Sequence, residues 1–356
     1  MGLSATISKH ILKFKKPATT SRGAFEDREI WILKIWNSQK PDIVGLGECA
    51  PLKNLSIDDR KDYEKKLNTL VNNINLGKNI NKFNFKEFPS IKFGLETALL
   101  DLKNGGKRII YKNFYAIGKQ GLAINGLIWM NQFNEMKKET LEKLELGFDC
   151  LKFKIGAIDF EKECELLSIV RNHPMGKNII IRLDANGAFK PEDALDKIKT
   201  LSHFNIHSIE QPIQKGQWQA MKELCQTSPI PIALDEELIG TFDEKDIELL
   251  LNEIKPQYIV LKPNLLGGFV QSDLWISQAE KHNIGWWLTS ALEGNIGLNA
   301  IAQYAASKNT LHHSGLGTGK LYANNLPPYT KIDNGYLWRD MGHEISDNDN
   351  PYEDQN

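Results

Sequence analysis

The stretch Cys150-Leu-Lys-Phe-Lys-Ile155 is a short apolar run that carries two lysines, and seven similar runs recur about every 25 to 30 residues. The eight runs cover residues 123–128, 150–155, 179–184, 206–210, 230–235, 258–262, 285–290 and 310–315. This spacing fits one strand plus a crossover helix, so it predicts an α/β fold with a parallel sheet. Eight such units predict a closed barrel. No obvious helix follows the last run before Pro327, so we expect a modified (β/α)7β TIM barrel over residues 121–324.

Residues 1–120 have a different pattern. Alternating apolar residues predict strands at 4–14 and 29–36 with a polar loop at 17–23 between them, and helical spacing follows at 57–74 and 91–103. Strands followed by helices predict a separate α+β domain. We expect the segment 325–345 to pack back on this domain, and the acidic end, residues 346–356, to be disordered.

The bulk composition excludes several classes of function. The chain has 356 residues and a formal net charge of −1, so no overall field would draw it to nucleic acid or to a membrane. Its four cysteines are scattered without a CxxC pair, which is typical of free thiols in a reducing cytosol, and it has no run of 18 apolar residues. We expect a cytoplasmic protein that acts on a small molecule. A homo-oligomer is compatible with the sequence but is not specified by it.

Charged side chains stand at the ends of five successive strands. Lys152 and Lys154 come first, Lys262 comes last, and three strands between them end in carboxylates. These carboxylates are Asp184, Glu210 and Asp235. Carboxylates that converge in a protein interior repel each other unless a cation lies between them, and oxygen ligands favour Mg²⁺, with Mn²⁺ as a substitute, over zinc. Such an ion polarises a substrate carboxylate, and flanking amines, with pKa values lowered by nearby positive charge, can move the α-proton.

Five further residues are candidates for substrate binding, each with an ordinary structural alternative. Asn186 either orients the metal or substrate or forms an Asx-turn, and Ser290 either donates to the substrate or caps a helix. Gly315 and Gly317 either offer backbone N–H groups to a carboxylate or form a turn. Arg22 either helps to close the pocket over an anionic substrate or is an ordinary exposed arginine.

Two other carboxylates are expected to take no part. Glu236 follows Asp235, and because consecutive strand residues point to opposite faces, only Asp235 should face the barrel interior. Glu48 has the appearance of a surface residue without a chemical role.

The strand ends resemble those of the muconate-lactonizing branch of the enolase superfamily. The matching stretches are Leu151-Lys-Phe-Lys-Ile-Gly156, Leu183-Asp-Ala-Asn-Gly187, Ile209-Glu-Gln-Pro212, Ala233-Leu-Asp-Glu236 and Leu261-Lys-Pro-Asn264. The resemblance covers nearly the whole chain and implies that residues 1–120 are a capping domain. It also implies that the three carboxylates bind the metal, that Lys154 and Lys262 face opposite sides of the substrate, and that Lys152 lies near the substrate carboxylate.

Within this branch the chain most resembles the o-succinylbenzoate synthase family of menaquinone biosynthesis. The stretches that carry this resemblance are Ala123-Ile-Asn-Gly-Leu-Ile128, Ser290-Ala-Leu-Glu293 and Gly315-Leu-Gly-Thr-Gly-Lys-Leu321. It implies a hydro-lyase that converts 2-succinyl-6-hydroxy-2,4-cyclohexadiene-1-carboxylate into 2-succinylbenzoate through a metal-stabilised enediolate. Lys154 would remove the α-proton and help the hydroxide to leave, while Lys262 would stabilise the anion from the opposite face.

Other functions remain compatible with the core motif. An N-acylamino acid racemase or a dipeptide epimerase of the same branch needs the same carboxylates and lysines. Dipeptide epimerases of the branch carry an Asp-x-Asp in the eighth-strand loop to bind the substrate's amino group, whereas this chain has Gly317-Thr-Gly319, which favours the synthase. A non-catalytic barrel protein would be favoured if one of the five core charged residues were missing, and none is.

Overall fold

The computed structural model describes residues 2–20, 23–308 and 310–342. The N-terminal part begins with three strands, β1 (Leu3–Thr20), β2 (Gly23–Asn37) and β3 (Lys40–Cys49), which form an antiparallel sheet in that order. Two helices follow, α1 (Tyr63–Asn75) and α2 (Pro89–Lys103), and share an apolar core with the sheet. The predicted order of strands followed by helices is confirmed.

Two local expectations for this part are wrong. The polar loop expected at 17–23 is largely strand, because β1 continues to Thr20, which pairs with Gly23 at the start of β2. Helix α1 begins at Tyr63 rather than near residue 57. The preceding residues form turns instead, in which the buried Asp58 carboxylate accepts hydrogen bonds from the N–H and hydroxyl of Ser90.

Helix α2 approaches β3 so closely that only glycine fits at the contact. A Cβ on Gly47 would lie 1.8 Å from the carbonyl oxygen of Gly94, and one on Gly45 would lie 2.0 Å from that of Ala98. Neither distance leaves room for a methyl group. The two backbones therefore pack directly against each other.

The rest of the chain alternates strands and helices, as predicted. Seven strands form one parallel sheet in chain order: β5 (Gly126–Ile128), β6 (Cys150–Lys154), β7 (Ile180–Asp184), β8 (Ser208–Glu210), β9 (Ile232–Leu234), β10 (Tyr258–Leu261) and β11 (Gly285–Leu288). The helices between and after them are α3 (Phe133–Glu145), α4 (Phe160–Asn172), α5 (Pro191–Ser202), α6 (Trp218–Thr227), α7 (Glu244–Ile254), α8 (Pro263–Leu266), α9 (Phe269–Lys281) and α10 (Asn295–Ser307). Their apolar side chains form one continuous core with those of the strands.

The eighth strand of the barrel is reduced to two residues. Ser314 forms a parallel bridge with Ile124, just before β5, and Gly315 forms one with Thr289, just after β11. These bridges join the two edges of the seven-stranded sheet. No helix occurs within residues 310–342, so the expected barrel without an eighth helix is confirmed.

The C-terminal segment contacts both parts of the molecule. Leu321 accepts a backbone hydrogen bond from Lys15 of β1, whereas the hairpin of β12 (Thr330–Asp333) and β13 (Tyr336–Arg339) pairs with β4 (Leu122–Ala123). The domain boundaries at 120 and 324 stay a prediction, and residues 346–356 lie outside the described part of the chain. Among the described residues, no helix has the length and apolar character needed to cross a bilayer.

Candidate active site

Parallel pairing brings the predicted charged residues to one end of the barrel. Lys154 lies opposite Asp184, and Asp184 lies opposite Glu210, in the registers of β6, β7 and β8. Asp235 and Lys262 come directly after β9 and β10. The three carboxylates are at most 2% exposed, so their charges need partners within the protein.

Lys152 lies between two of these carboxylates. Its Nζ is 2.9 Å from Asp184 Oδ2 and donates a hydrogen bond of 2.8 Å to Glu210 Oε1. Glu210 Oε2 also lies 2.6 Å from this Nζ but has no hydrogen-bond partner of normal geometry. A positive charge thus already lies where two buried carboxylates converge.

Lys154 reaches the same carboxylate from the neighbouring position. Its Nζ is 2.9 Å from Asp184 Oδ2 and donates a hydrogen bond of 2.6 Å to Asn186 Oδ1. The Asx-turn considered for Asn186 is formed by Asp184 instead, since Asp184 Oδ1 accepts a hydrogen bond of 3.1 Å from the Asn186 N–H. The Asn186 side chain therefore contacts the lysine rather than closing the turn.

The backbone at the third carboxylate, Asp235, is fixed by hydrogen bonds to a glutamine. Lys262 Nζ donates a short hydrogen bond to Asp235 Oδ2. The N–H of Asp235 donates in turn to Gln211 Oε1 at 3.2 Å, and that oxygen also accepts from the N–H of Glu237 at 3.3 Å. Gln211 is buried, and its φ of 40° turns the chain directly after β8. It therefore fixes the backbone that presents Asp235.

The expectation that Glu236 points away from the site is wrong. Glu236 is buried, and its Oε1 accepts a hydrogen bond of 3.0 Å from Asn186 Nδ2. Strand alternation does not apply here, because β9 ends at Leu234 and residues 236–238 form a 3₁₀ turn. The site therefore contains a fourth carboxylate close to its three predicted ones.

The lysines and carboxylates of the site shift each other's pKa values. Burial acts to lower the pKa of Lys152, but the carboxylates of Asp184 and Glu210 outweigh it and raise that pKa above its usual range. Burial acts in the same direction on Lys262, and Asp235 again outweighs it, so the pKa of Lys262 is raised as well. Burial, followed by the charge of Asp184, raises the pKa of Glu210 to about 8. Without a bound cation the pKa values of these two lysines are thus raised, because their ammonium groups face carboxylates more closely than other positive charges, and the expected lowering by a bound metal ion stays a prediction.

The opposite wall of the barrel carries neutral polar groups. Ser290 is buried, and its Oγ lies 2.8 Å from Thr318 Oγ1, so the two hydroxyls share a hydrogen bond. Ser290 does not cap α10, which begins at Asn295. Asn125, from the loop between β4 and β5, lines the same wall.

The two candidate glycines differ in their backbone contacts. The N–H of Gly315 donates to Leu288 O at 2.8 Å, so it closes the barrel and is not available to a substrate. A Cβ at Gly315 would lie 2.2 Å from Thr289 Oγ1, which explains the need for glycine there. Gly317 lines the cavity, and its N–H donates to no acceptor among the described residues.

The two walls enclose a cavity of about 70 Å³. Phe25, Leu52 and Leu55 from the N-terminal part cover it, which agrees with the capping role implied for residues 1–120. A second cavity of about 340 Å³ shares part of this lining and extends toward Lys15 and Lys16. Together they fall within the size range of pockets that hold small organic ligands.

Besides Glu236 and Gln211, sequence reasoning missed three residues of this region. Asn125 and Thr318 were not identified as candidates. Asn125 could have been, because it is the one polar side chain within the apolar run 123–128. Glu48 was assigned to the surface, but the structure buries it completely beside the loop after β11. Arg22, a candidate for closing the pocket, lies outside the described residues.

Known proteins share this architecture along nearly the whole chain. Residues 135–343 match the family described as "Enolase C-terminal domain-like", and residues 4–102 match "MenC, N-terminal domain". An o-succinylbenzoate synthase from Desulfotalea psychrophila is 40% identical, over 94% of this chain and 99% of its own length. A hydrophobic dipeptide epimerase from Enterococcus faecalis is 26% identical, over 86% of this chain and 87% of its own length.

A solved structure agrees with the sequence matches. The crystal structure of MenC from Desulfotalea psychrophila superimposes with a TM-score of 0.84 at 36% identity, over 95% of this chain and all of the other. The match to the synthase covers both the strand-end charges and the N-terminal part that closes the cavity. The chain therefore belongs to the o-succinylbenzoate synthase family of the enolase superfamily.

Proposed function

We propose that the chain is a lyase that dehydrates 2-succinyl-6-hydroxy-2,4-cyclohexadiene-1-carboxylate to 2-succinylbenzoate, a step of menaquinone biosynthesis. The observation that carries the proposal is the row of buried carboxylates with a lysine at each end, Lys154 on β6 and Lys262 after β10. This arrangement places two amines at different edges of one covered cavity. The relative of 40% identity supports the substrate.

We propose Asp184, Glu210 and Asp235 as ligands of a divalent ion, Mg²⁺ or Mn²⁺. The donors are all carboxylate oxygens, which suit a hard cation, and Lys152 already brings positive charge between two of them. Within the described residues no three such side chains yet converge at ligand distances. Binding would therefore require Lys152, Lys154 and Lys262 to release the carboxylate oxygens that they contact. The ion would polarise the substrate carboxylate and offset the negative charge that develops there.

The protein's own groups would carry the proton and the charge. Lys154 Nζ takes the proton from ring carbon 1 as that C–H bond breaks. The bond between carbon 6 and its hydroxyl then breaks, and the same Nζ returns the proton so that hydroxide leaves as water. Lys262 stabilises the anion from the opposite face, and Lys152 lies beside the substrate carboxylate. Asn186 holds Lys154 in place through the hydrogen bond of 2.6 Å.

Substrate contacts outside the reacting carbon are proposed for the opposite wall. Ser290 and the N–H of Gly317 are donors that line the cavity. Either can bind an oxygen of the succinyl group, whereas Gly315 shapes the wall through its closure of the barrel. The small remaining space excludes bulk water from the reacting carbon.

The decisive experiment follows the loss of the cyclohexadiene absorbance by purified protein in Mg²⁺. We expect turnover that excess chelator abolishes and added Mg²⁺ restores. Lys154→Ala should lower kcat by at least about 1,000-fold, since removal of a general base of this kind costs about 100- to 10,000-fold and its role as acid is lost too. Lys199→Ala is the matched control, because Lys199 is an exposed lysine paired with Asp196 on α5. Metal-independent turnover, or full activity of Lys154→Ala, would refute the proposal.

An epimerase of the same branch is the second candidate, because the dipeptide epimerase match spans 86% of the chain. Racemisation also requires an amine on each face of the substrate, so Lys154 and Lys262 suit it equally. Optical rotation of N-acylamino acids and dipeptides in the same preparations separates the two activities. Racemisation without diene turnover would move the function to the epimerases and leave the proposed metal site intact.

We further propose that the enzyme acts in the cytoplasm. The four cysteines are free thiols, which is typical of proteins in reducing compartments. The substrate and product are small polar carboxylates, which agrees with an enzyme that works away from membranes.

A further inference from the structure

Asn125 has a buried side chain whose polar atoms lack partners in the protein. The residue is only 3% exposed, and its backbone N–H donates to Ser314 O at 3.0 Å. Its Oδ1 has no hydrogen-bond partner, and its Nδ2 donates to no acceptor among the described residues. A buried amide without partners destabilises a protein by about 1–3 kcal/mol. The donor Nδ2, without an acceptor in the wall of a cavity, therefore suggests a hydrogen-bond acceptor that arrives with a ligand, whereas Oδ1 would need a donor.

Asn113 is a buried asparagine with a structural role and serves as a comparison for Asn125. Its Nδ2 donates to Gln303 O at 2.9 Å, and its Oδ1 accepts from the Ala116 N–H at 2.9 Å. Both ends of that amide are satisfied within the protein. The unpaired amide of Asn125 is thus not the general rule for buried asparagines in this chain.

The position of Asn125 identifies the part of a ligand that it would meet. It lines both cavities and so stands at their junction, together with Leu127, Trp129, Gly317 and Thr318. The carboxylates and lysines of the reacting end lie on β6 to β10, whereas Asn125 lies beside the closure of the barrel at Ser314. A substrate whose reacting carboxylate lies beside these carboxylates and lysines would direct its other end toward Asn125.

We propose that Asn125 is a substrate-binding residue that recognises an oxygen of the succinyl arm. The inference rests on the proposed function and deepens it. The ketone and carboxylate oxygens of the arm accept hydrogen bonds and donate none, so Nδ2 is the atom that would contact them. The amide selects substrates whose arm presents an acceptor at this junction, and takes no part in the proton transfer.

The first test replaces the amide by an apolar group of similar size, Asn125→Leu. Because the amide has no partner in the free protein, we expect the Tm of the free enzyme to be unchanged or higher. KM for the cyclohexadiene should rise by about 10- to 100-fold, since a hydrogen bond to a charged or polarised oxygen is lost, while kcat changes less. Asn113→Leu is the control: it should lower the Tm and leave KM within about two-fold, because it removes structural hydrogen bonds only.

The second test compares two competitive inhibitors in the presence of Mg²⁺. Inhibition by 2-succinylbenzoate, which has the arm, should weaken by about 10- to 100-fold in Asn125→Leu. Inhibition by benzoate, which lacks the arm, should stay within about two-fold. Equal weakening of both, or of neither, would overturn the assignment, as would a fall in Tm with an unchanged KM.

Asn125→Asp provides a second variant in case the leucine disturbs packing. Aspartate has nearly the same shape as asparagine, but it lacks the donor and adds a negative charge beside the anionic arm. Inhibition by 2-succinylbenzoate should therefore weaken at least as much in Asn125→Asp as in Asn125→Leu. Wild-type turnover keeps the two proposals apart. A wild-type enzyme without diene turnover refutes the proposed function, whereas wild-type turnover with unaffected Asn125 variants refutes only the role of Asn125.

Discussion

Among single residues, Glu48 joins two distant segments through its carboxylate. Its Oε1 accepts a hydrogen bond of 2.6 Å from the Gly294 N–H, and its Oε2 accepts one of 2.9 Å from the Gly297 N–H. These donors lie at the amino end of α10, where unpaired N–H groups and the helix dipole favour a negative charge. Burial nevertheless raises the pKa of Glu48 to about 7. Glu48 therefore holds the lip of the cavity at residues 290–294 against β3 with a carboxylate that titrates near neutral pH.

This pKa predicts how Glu48 affects stability. An unfolded glutamate ionises near its ordinary value of 4.5, whereas the folded residue holds its proton until about pH 7. The favourable contribution is therefore full below pH 4.5 and is lost as the pH rises to about 7. Against Glu48→Gln, which does not titrate, the free energy of unfolding of the wild type should fall by about 3 kcal/mol across this range.

Urea unfolding at several pH values between 4.5 and 8 measures this difference. Glu87→Gln is the control, because Glu87 is an exposed carboxylate that pairs with Arg60 at 2.8 Å. The free energy of unfolding of Glu87→Gln, plotted against pH, should run parallel to that of the wild type. Parallel curves for the wild type and Glu48→Gln would instead show that Glu48 stays ionised throughout.

At the scale of elements, the contact between α2 and β3 depends on glycines, which have no side chain to separate the two backbones. Gly47→Ala would place a methyl carbon 1.8 Å from the Gly94 carbonyl oxygen, so the helix must move away from the sheet. We expect a loss of at least about 1–3 kcal/mol of stability, as for other overpacked cores. Thermal unfolding should show a clearly lower Tm than for the wild type.

Gly2→Ala is the matched control for this change. A Cβ at Gly2 meets only Ser38 Oγ, at 3.6 Å, which is ordinary contact. Its Tm should match the wild type. A Gly47→Ala protein as stable as this control would mean that α2 and β3 are not held at the observed distance.

At the scale of the whole molecule, the amino ends of the barrel strands carry a cluster of rings opposite the proposed site. The ring of His207 lies 5.1 Å from that of Tyr258 and 5.8 Å from that of His312. Arg182 stacks over Trp287 with its Cζ 3.9 Å from the ring centre. Burial, and then the charge of Arg182, lowers the pKa of His207 to about 4.

This cluster predicts sensitivity to acid. In the unfolded chain His207 gains a proton near pH 6.5, but the folded protein resists protonation until about pH 4. Stability contributed by His207 is therefore present above pH 6.5 and is lost as the pH falls toward 4. His207→Gln should lose less stability over this range than the wild type, as measured by urea unfolding at each pH. His203→Gln, at an exposed position on the surface, should behave as the wild type does; equal losses for all three proteins would contradict the prediction.

The alternation of strands and helices and the row of Lys154, Asp184, Glu210 and Asp235 could be predicted from the sequence. Both are consequences of chain order, because parallel strands joined by crossover helices must end on the same side of the sheet. Residues that follow successive strands then become neighbours whatever the details of packing. The family resemblance of the same stretches extended this prediction to a reaction.

Tertiary packing alone decided which other groups reach the cavity and what charge they carry. Glu48 meets Gly294 across 246 positions of sequence, and Thr318 meets Ser290 across 28, so no local pattern marks either contact. Glu236 faces inward because the strand ends one residue before Asp235, which strand alternation cannot foresee. The pKa of a group depends on its burial and on all charges around it, and these exist only once distant segments are packed together.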